Sequence, residues 1–188
     1  IAQTRYSIED FVRHATYSSV KISPNGDYLA MTMDHGDQDV LTVLRTSDLK
    51  AMKVNQLPDK KSVGSFHWVS PDRLIFNAVK KMGGYAAPFS TGEWFAVNAD
   101  GTQPRPLIFY GTRDATSRGK DVGSRRLSLL DTLRDDDANV MMQAVSPRSL
   151  EGGSNEVVQL DVLTGWLDTP ARAPRENCSI EKKKKKEP

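Results

Sequence analysis

Residues 18–34 read SSVKISPNGDYLAMTMD, in which two stretches of alternating apolar and polar residues flank a short polar segment. That segment, SPNG at 23–26, contains two turn formers. Proline fixes φ near the value that a tight turn requires, and glycine tolerates the positive φ of a sharp reversal. The stretch is therefore predicted to form a β-hairpin, with Val20 and Ile22 on its first strand and Tyr28 on its second.

The hairpin recurs along the chain. The segment SFHWVSPDRLIFNAV at 65–79 places a second Ser-Pro pair between alternating apolar residues. A further pair of strands follows each hairpin, and a weaker third unit with the same order begins at LSLLDTL, residues 127–133. A four-stranded antiparallel unit that repeats every few dozen residues is typical of a β-propeller blade.

The predicted fold class is all-β: a partial β-propeller of about three four-stranded antiparallel blades, preceded by a short N-terminal helix that Ser7 caps. A Greek-key β-sandwich is the alternative, because sandwiches also contain many short strands. The predicted organisation has a helical segment at 1–17 and a propeller region at 18–175. The region holds blades at about 18–57, 64–110 and 127–173, and a polar, Lys-rich tail or truncation boundary follows at 176–188.

Composition excludes several classes of function. The formal net charge is +2, and five consecutive lysines at 182–186 account for it, so neither a nucleic-acid nor an anionic-membrane surface is indicated. No apolar run approaches the roughly 20 residues of a membrane span. Cys178 is the only cysteine, which rules out an internal disulfide. The sequence starts Ile1-Ala2-Gln3, and a removed leader would place the protein in the periplasm or outside the cell, with the cytoplasm left open.

No self-sufficient catalytic motif is found. The nearest approach to Gly-x-Ser-x-Gly, at 152–156, lacks the closing glycine. The three histidines, His14, His35 and His67, lack the spacing of a metal pair. Three consecutive aspartates at 135–137 lack the alternating ligands of a calcium loop, and are predicted to be a solvated hairpin turn. The sequence therefore predicts no catalytic, cofactor-binding or metal-binding residue.

One connecting loop is a candidate contact region. The loop at 81–92 contains two adjacent glycines and two aromatic residues. Its candidate contacts to a ligand or to a neighbouring domain are Tyr85, Phe89 and Glu93, because variable loops on a rigid scaffold commonly bind. An ordinary connection between strands explains the same loop, and a small β-sandwich that binds a ligand through it is a third, weaker interpretation.

The sequence resembles the N-terminal β-propeller of the prolyl oligopeptidase and dipeptidyl-peptidase family of serine peptidases. The similarity covers about residues 5–175 and is most specific where Phe11-Val12-Arg13-His14 precedes VKISPNGDYLA. The segment WVSPDRL at 68–74 and the turn NADG at 98–101 add to it.

The resemblance implies a propeller that gates access of oligopeptides to a C-terminal α/β-hydrolase domain bearing a serine–aspartate–histidine triad. No triad position lies in this chain, which is expected to be inactive alone. Its expected partners are the missing hydrolase domain or another chain that completes the propeller, an oligopeptide substrate in the parent enzyme, and a second copy in a homo-oligomer. Three blades alone are expected to leave two apolar faces. The alternative is a stand-alone propeller-like binding or scaffold protein.

Overall fold

The computed structural model describes residues 17–82, 87–109, 126–145 and 156–172, with the side chains of the last two residues excepted. Several sequence predictions fall outside these ranges: the N-terminal helix, Tyr85, His14, Cys178 and the Lys-rich tail. Within them, no helix is long and apolar enough to cross a membrane.

The described residues form three separate four-stranded antiparallel sheets, each built from consecutive strands. Blade one contains β1 (Tyr17–Ile22), β2 (Tyr28–His35), β3 (Gln38–Arg45) and β4 (Ala51–Asn55). Blade two contains β5 (Ser62–Trp68), β6 (Arg73–Lys80), β7 (Phe89–Asn98) and β8 (Arg105–Ile108). Blade three contains β9 (Arg126–Asp131), β10 (Asn139–Val145), β11 (Glu156–Asp161) and β12 (Leu167–Arg172).

The predicted fold class is confirmed in its all-β, three-bladed form. Each meander stays together as one sheet, in the order first, second, third and fourth strand, rather than dividing between two facing layers as in a sandwich. None of the three sheets closes on itself. The arrangement is that of consecutive propeller blades.

The predicted turn at 23–26 is present. The main-chain N–H of Gly26 donates to the carbonyl of Ser23 at 2.9 Å, and Gly26 has a φ of +83°. The equivalent turn of blade two is closed by the N–H of Val69, which donates to the carbonyl of Arg73 at 2.9 Å. Local chain chemistry thus sets both hairpins.

Two hydrophobic clusters hold the blades together. One lies between blades one and two and contains Leu41 and Val43 of the first with Phe66 and Phe76 of the second. The other lies between blades two and three and is centred on buried residues from both, including Trp94. Blade two contributes to both clusters, because its strand β6 is apolar on both faces. This strand is buried at nearly every position.

Blade three buries one face of its sheet much more than the other. Buried and partly buried residues alternate strictly along β10 and β11. The buried set faces blade two. The outer face carries Met141 and Val157, but also Gln143 and Gln159, and it ends at Asp168. This differs from the expected second apolar face, because amide side chains occupy the centre of the sheet.

Blade one presents a different outer face, which points away from blade two. Strand pairing places on it the following residues: Val20, Ile22, Leu29, Met31, Met33, Val40, Thr42, Leu44 and Val54. Eight of these nine are apolar. At its centre Val40 and Thr42 are 2% and 3% exposed, whereas Ile22 at the margin is 60% exposed. The Thr42 hydroxyl is buried and has no hydrogen-bond partner among the described residues.

Candidate functional site

The loop singled out in the sequence joins β6 to β7, and the structure describes two of its three candidate residues. Phe89 begins β7 and is 46% exposed, which leaves its ring available for contact. Glu93 lies four residues further along β7 and is buried. The two side chains therefore differ in environment, although the sequence grouped them.

Glu93 forms a mostly buried ion pair. Its Oε1 accepts from the Lys61 ammonium at 2.9 Å, and its Oε2 accepts from the hydroxyl of Thr91 at 2.8 Å. Lys61 lies in the segment that links blade one to blade two, just before β5. The carboxylate is thus held by one cation and one hydroxyl, an arrangement that fixes the linker against β7.

A polar network continues from this pair to blade one. The side-chain amide of Gln38 donates to the carbonyls of Leu57 and Lys61, both at 3.0 Å. The ammonium of Lys81 donates to the carboxylate of Asp39 at 2.9 Å across the same junction. These contacts make this end of the blades a firmly connected rim rather than an open cleft.

A polar cavity lies at the opposite end of the blades, where the first-to-second and third-to-fourth strand turns meet. Its volume is about 690 Å³. It is lined from all three blades by residues that include Asn25, Asp27, Asp72, Asn98 and Asp137. The sequence did not predict this cavity, because the repeated hairpin turns do not indicate which turns meet in space.

Three aspartates occupy the end of the equivalent turn in each blade. Asp27 directly precedes β2, and Asp72 directly precedes β6. Asp137 lies two residues before β10. Ser70 donates to Asp72 at 2.8 Å, in keeping with a carboxylate that stabilises its own turn. The neighbouring Asp136 accepts from the N–H of Ala138, and this bond together with the Asn139 amide lowers the pKa of Asp136.

Arg73 forms the floor of the polar cavity and joins two blades. Its Nε and Nη2 donate to the carbonyl of Val162 in blade three at 3.2 and 2.8 Å, and its Nη1 donates to Asn98 at 2.6 Å. Burial lowers the pKa of Arg73, and the nearby Arg105 adds to this effect. Arg73 as a whole is only 3% exposed, and its guanidinium mainly binds the neighbouring main chain.

A second cavity of about 450 Å³ opens between the outer strands of blades one and two. Phe76 and Phe95 stack at 5.6 Å between ring centroids and form its apolar wall. Pro104 and Pro106 line its rim. Proline on an outer strand removes a main-chain donor, which discourages the addition of a further strand there.

The described histidines do not form a metal site. Among the described residues, no group of three or more His, Cys, Asp or Glu side chains has the arrangement to hold a metal ion. His35 is exposed at the end of β2, and His67 lies partly buried on β5. Burial, with a smaller contribution from the charge of Lys21, lowers the pKa of His67 to about 4.

No protein-family model matches the sequence, and no curated protein matches it. Solved structures do match. A protein of Clostridium novyi NT described as a conserved lipoprotein aligns over 80% of this chain and 89% of its own, with 13% identity and a TM-score of 0.52. An oligogalacturonate lyase crystallised with manganese aligns over 86% of this chain, with 9% identity and a TM-score of 0.53.

Prolyl endopeptidases are also among the structural neighbours: one aligns over 84% of this chain with 12% identity and a TM-score of 0.49. The chain spans 44% of the lyase and 22% of that endopeptidase. The lipoprotein and the lyase, whose TM-scores exceed 0.5, show a shared arrangement of strands only, because a shared fold does not imply a shared function. The comparisons therefore support the bladed fold, and the activities of these neighbours are not transferred by them.

Proposed function

We propose that this chain is the N-terminal propeller portion of a serine peptidase of the prolyl oligopeptidase family. In this proposal it gates the entry of oligopeptides to a C-terminal α/β-hydrolase domain and takes no part in bond cleavage. The hydrolase domain supplies the catalytic nucleophile, and the blades restrict which substrates can reach it.

The observation that carries the proposal is the outer face of blade one. Apolar side chains from all four strands of this sheet form one continuous surface, with Val20 and Val54 at least half exposed at its margins. The centre of this face is buried at Val40 and Thr42, so the exposed part is its margin, and exposed apolar side chains of this kind typically mark an interface with another protein element. A further blade is the element that packs on such a face in a propeller, so the three blades are proposed to belong to a larger ring.

The family named in this proposal rests on the sequence resemblance. The segments WVSPDRL at 68–74 and NADG at 98–101 resemble the blades of that family, and both occur at the ends of strands in blade two. There Val69 and Arg73 close one turn, and Gly101 donates to Asn98 at 2.8 Å to close the other. The family motifs thus coincide with turns that fix a blade.

The proposed mechanism is steric. The blades are joined by buried side chains that bond to the main chain of the next blade, such as Arg73 to Val162 and Trp94 to Leu127. A scaffold joined in this way deforms little, so a ring built from such blades admits an extended peptide and excludes a folded protein. Exclusion of water and of large substrates from the reaction site then follows from closure of the ring over it.

The first test is the reading frame that follows the codon of Pro188. We expect several hundred further residues that contain Gly-x-Ser-x-Gly, followed by an aspartate and a histidine. A stop codon directly after this position would contradict the proposal, and would favour the stand-alone binding or scaffold protein.

The second test concerns gating. The full-length protein is expected to cleave a short aminoacyl-anilide peptide and to leave a folded protein that carries the same scissile sequence intact. The 188-residue chain alone is expected to cleave neither. Hydrolysis of the short peptide by this chain alone would overturn the non-catalytic role, and cleavage of the folded protein by the full-length enzyme would overturn gating.

A further inference from the structure

The last strands of the three blades differ in whether they contain proline. β4, β8 and β12 each lie at the end of their sheet, so each is paired along one side only among the described strands. β8 contains Pro106 and β12 contains Pro170, and proline discourages the addition of a further strand because it has no main-chain N–H. β4 reads AMKVN and contains no proline. Its free edge is therefore open to strand addition.

The free edge of β4 adjoins the apolar cavity of about 450 Å³ between blades one and two. Lys53 of β4 lies opposite Val43, which belongs to the hydrophobic cluster between these blades, so the Lys53 side chain is on the face toward blade two. There its methylenes occupy the space that a Cβ at Gly101 would need. A strand added to β4 would place every second side chain on this same face, beside the cavity wall formed by Phe76 and Phe95.

The charge of Lys53 is available to an added strand. Its side chain is exposed and forms no hydrogen bond or ion pair within the ranges that the structure describes. The lysine ion pairs there belong to Lys60, Lys61 and Lys81.

This charge favours an acidic segment over a second copy of the chain. Opposite charges on directly opposed residues of neighbouring strands stabilise a sheet, and like charges destabilise it. Lys53 is the central residue of β4, so antiparallel pairing of two β4 strands about their centres would oppose lysine to lysine. A segment with glutamate or aspartate opposite Lys53 gains an ion pair instead.

We propose that the free edge of β4 binds an extended acidic segment of a partner protein by strand addition. Main-chain hydrogen bonds to β4 supply affinity, and side chains that alternate along the added strand supply specificity. On the face toward blade two, an acidic residue pairs with Lys53, and apolar residues two positions away on either side contact the cavity beside Phe95. This docking edge is separate from the peptidase assignment and holds whether or not a hydrolase domain follows.

The test is an NMR titration of the full 188-residue chain, labelled with ¹⁵N, at constant ionic strength and neutral pH. The probe is the peptide acetyl-Thr-Phe-Thr-Glu-Thr-Phe-Thr-amide, whose sequence is the same in both directions and so serves parallel and antiparallel addition. We expect saturable shifts of the β4 amide signals with this probe, and much weaker binding when lysine replaces its glutamate or serine replaces its phenylalanines. Equal binding of the glutamate and lysine versions, or saturation without shifts in β4, would overturn the proposal.

N-methylation of the probe separates strand addition from contact through side chains alone. Every second amide of an added strand faces β4, and the others face away from it. One version carries N-methyl groups on the threonines, and the other carries them on the phenylalanines and the glutamate. We expect one version to lose binding and the other to retain it. Two versions that bind equally well, or equally poorly, would overturn strand addition.

A charge swap locates the site on the protein. Lys53→Glu is expected to weaken binding of the glutamate probe about tenfold and to favour the lysine version instead. Lys80→Glu makes the same charge change at an exposed position at the end of β6, away from the cavity, and should leave both affinities unchanged. An unchanged preference in Lys53→Glu, or an equal loss in Lys80→Glu, would overturn the proposal. The comparison of peptides needs no variant, so it decides the matter even if Lys53→Glu does not fold.

Discussion

The indole N–H of Trp68 in blade two donates to the main-chain carbonyl of Lys21 in blade one at 3.2 Å. The second junction repeats this relationship: Trp94 of blade two donates to the carbonyl of Leu127 in blade three, also at 3.2 Å. Blade two, the central blade, therefore donates one tryptophan hydrogen bond to each of its two neighbours. The first bond joins the first strands of blades one and two, and the second joins the third strand of blade two to the first strand of blade three. Neither pair of strands shares a main-chain ladder.

Replacement of either tryptophan by phenylalanine removes the donor but keeps most of the apolar volume. We expect Trp94→Phe to lower the free energy of unfolding by about 1–3 kcal/mol, because its acceptor is left unsatisfied in a buried site. Trp68→Phe should cost less, since its bond is only partly buried. Urea denaturation measures both. Trp166→Phe, at a side chain 58% exposed, is the control and should change stability by no more than about 0.5 kcal/mol.

Arg73→Lys should destabilise the junction of blades two and three. A lysine cannot reproduce the fork that donates twice to the Val162 carbonyl and once to Asn98. We expect a loss of about 2 kcal/mol in the free energy of unfolding. Arg105→Lys is the matched control, because Arg105 is exposed and makes one long contact of 3.4 Å. Equal losses in the two variants would show that Arg73 has no special role.

Glu93→Gln should lower the free energy of unfolding, because it breaks the ion pair with Lys61. Removal of one partner of a buried ion pair typically costs about 3–5 kcal/mol. The lower end is expected here, since Lys61 keeps a weaker contact with Asp59 at 3.8 Å. The double variant Glu93→Gln with Lys61→Met should recover part of the loss. A Glu93→Gln protein of unchanged stability would instead leave Glu93 free to serve as the ligand contact that the sequence indicated.

His67 should make stability depend on pH in one direction. Its pKa is about 4 in the folded state and near 6.5 when exposed, so the unfolded state binds more protons between these two values. The contribution of His67 is therefore fully present above about pH 6.5 and is lost as the pH falls toward 4. Urea denaturation at pH 7 and pH 5 should show a smaller difference for His67→Gln than for the unchanged protein. A ring proton titration with a midpoint near 6.5 would contradict the argument.

The outer face of blade one should control self-association of the isolated chain. We expect the chain to associate in sedimentation velocity, because apolar side chains such as Ile22 are exposed on this face. The double variant Val20→Lys with Ile22→Lys should shift the population toward monomer, with little loss of stability at these exposed sites. Gln143→Lys with Gln159→Lys makes the same charge change on the outer face of blade three and should have no such effect. A compact monomer of the unchanged chain would show that the exposed margin of this face does not mediate association.

Local sequence patterns were enough to predict the blades. The hairpin at 18–34 follows from turn residues at 23–26 and from period-two alternation, both of which act within a few residues. Its repetition at 65–79 then predicts a second sheet of the same kind. The one-sided covering of β10 shows only in its burial pattern, because its sequence NVMMQAV places methionine and valine on both faces.

The sites were less predictable, because their contacts join residues far apart in the chain. Glu93 was grouped with Phe89 by proximity in sequence, yet its carboxylate binds Lys61, 32 residues earlier. The polar cavity needed five turns from three blades to come together. No local pattern indicates which turns will meet.

The sequence by itself determined where each strand begins to turn and that the unit repeats, since these depend on the backbone preferences of proline and glycine and on side-chain alternation. Only the tertiary structure decided that Arg73 bonds to Val162, 89 residues away, and that Lys21 is left without a carboxylate partner among the described residues. The physical reason is that burial and hydrogen bonding between blades depend on how whole sheets pack, which no short stretch of sequence encodes.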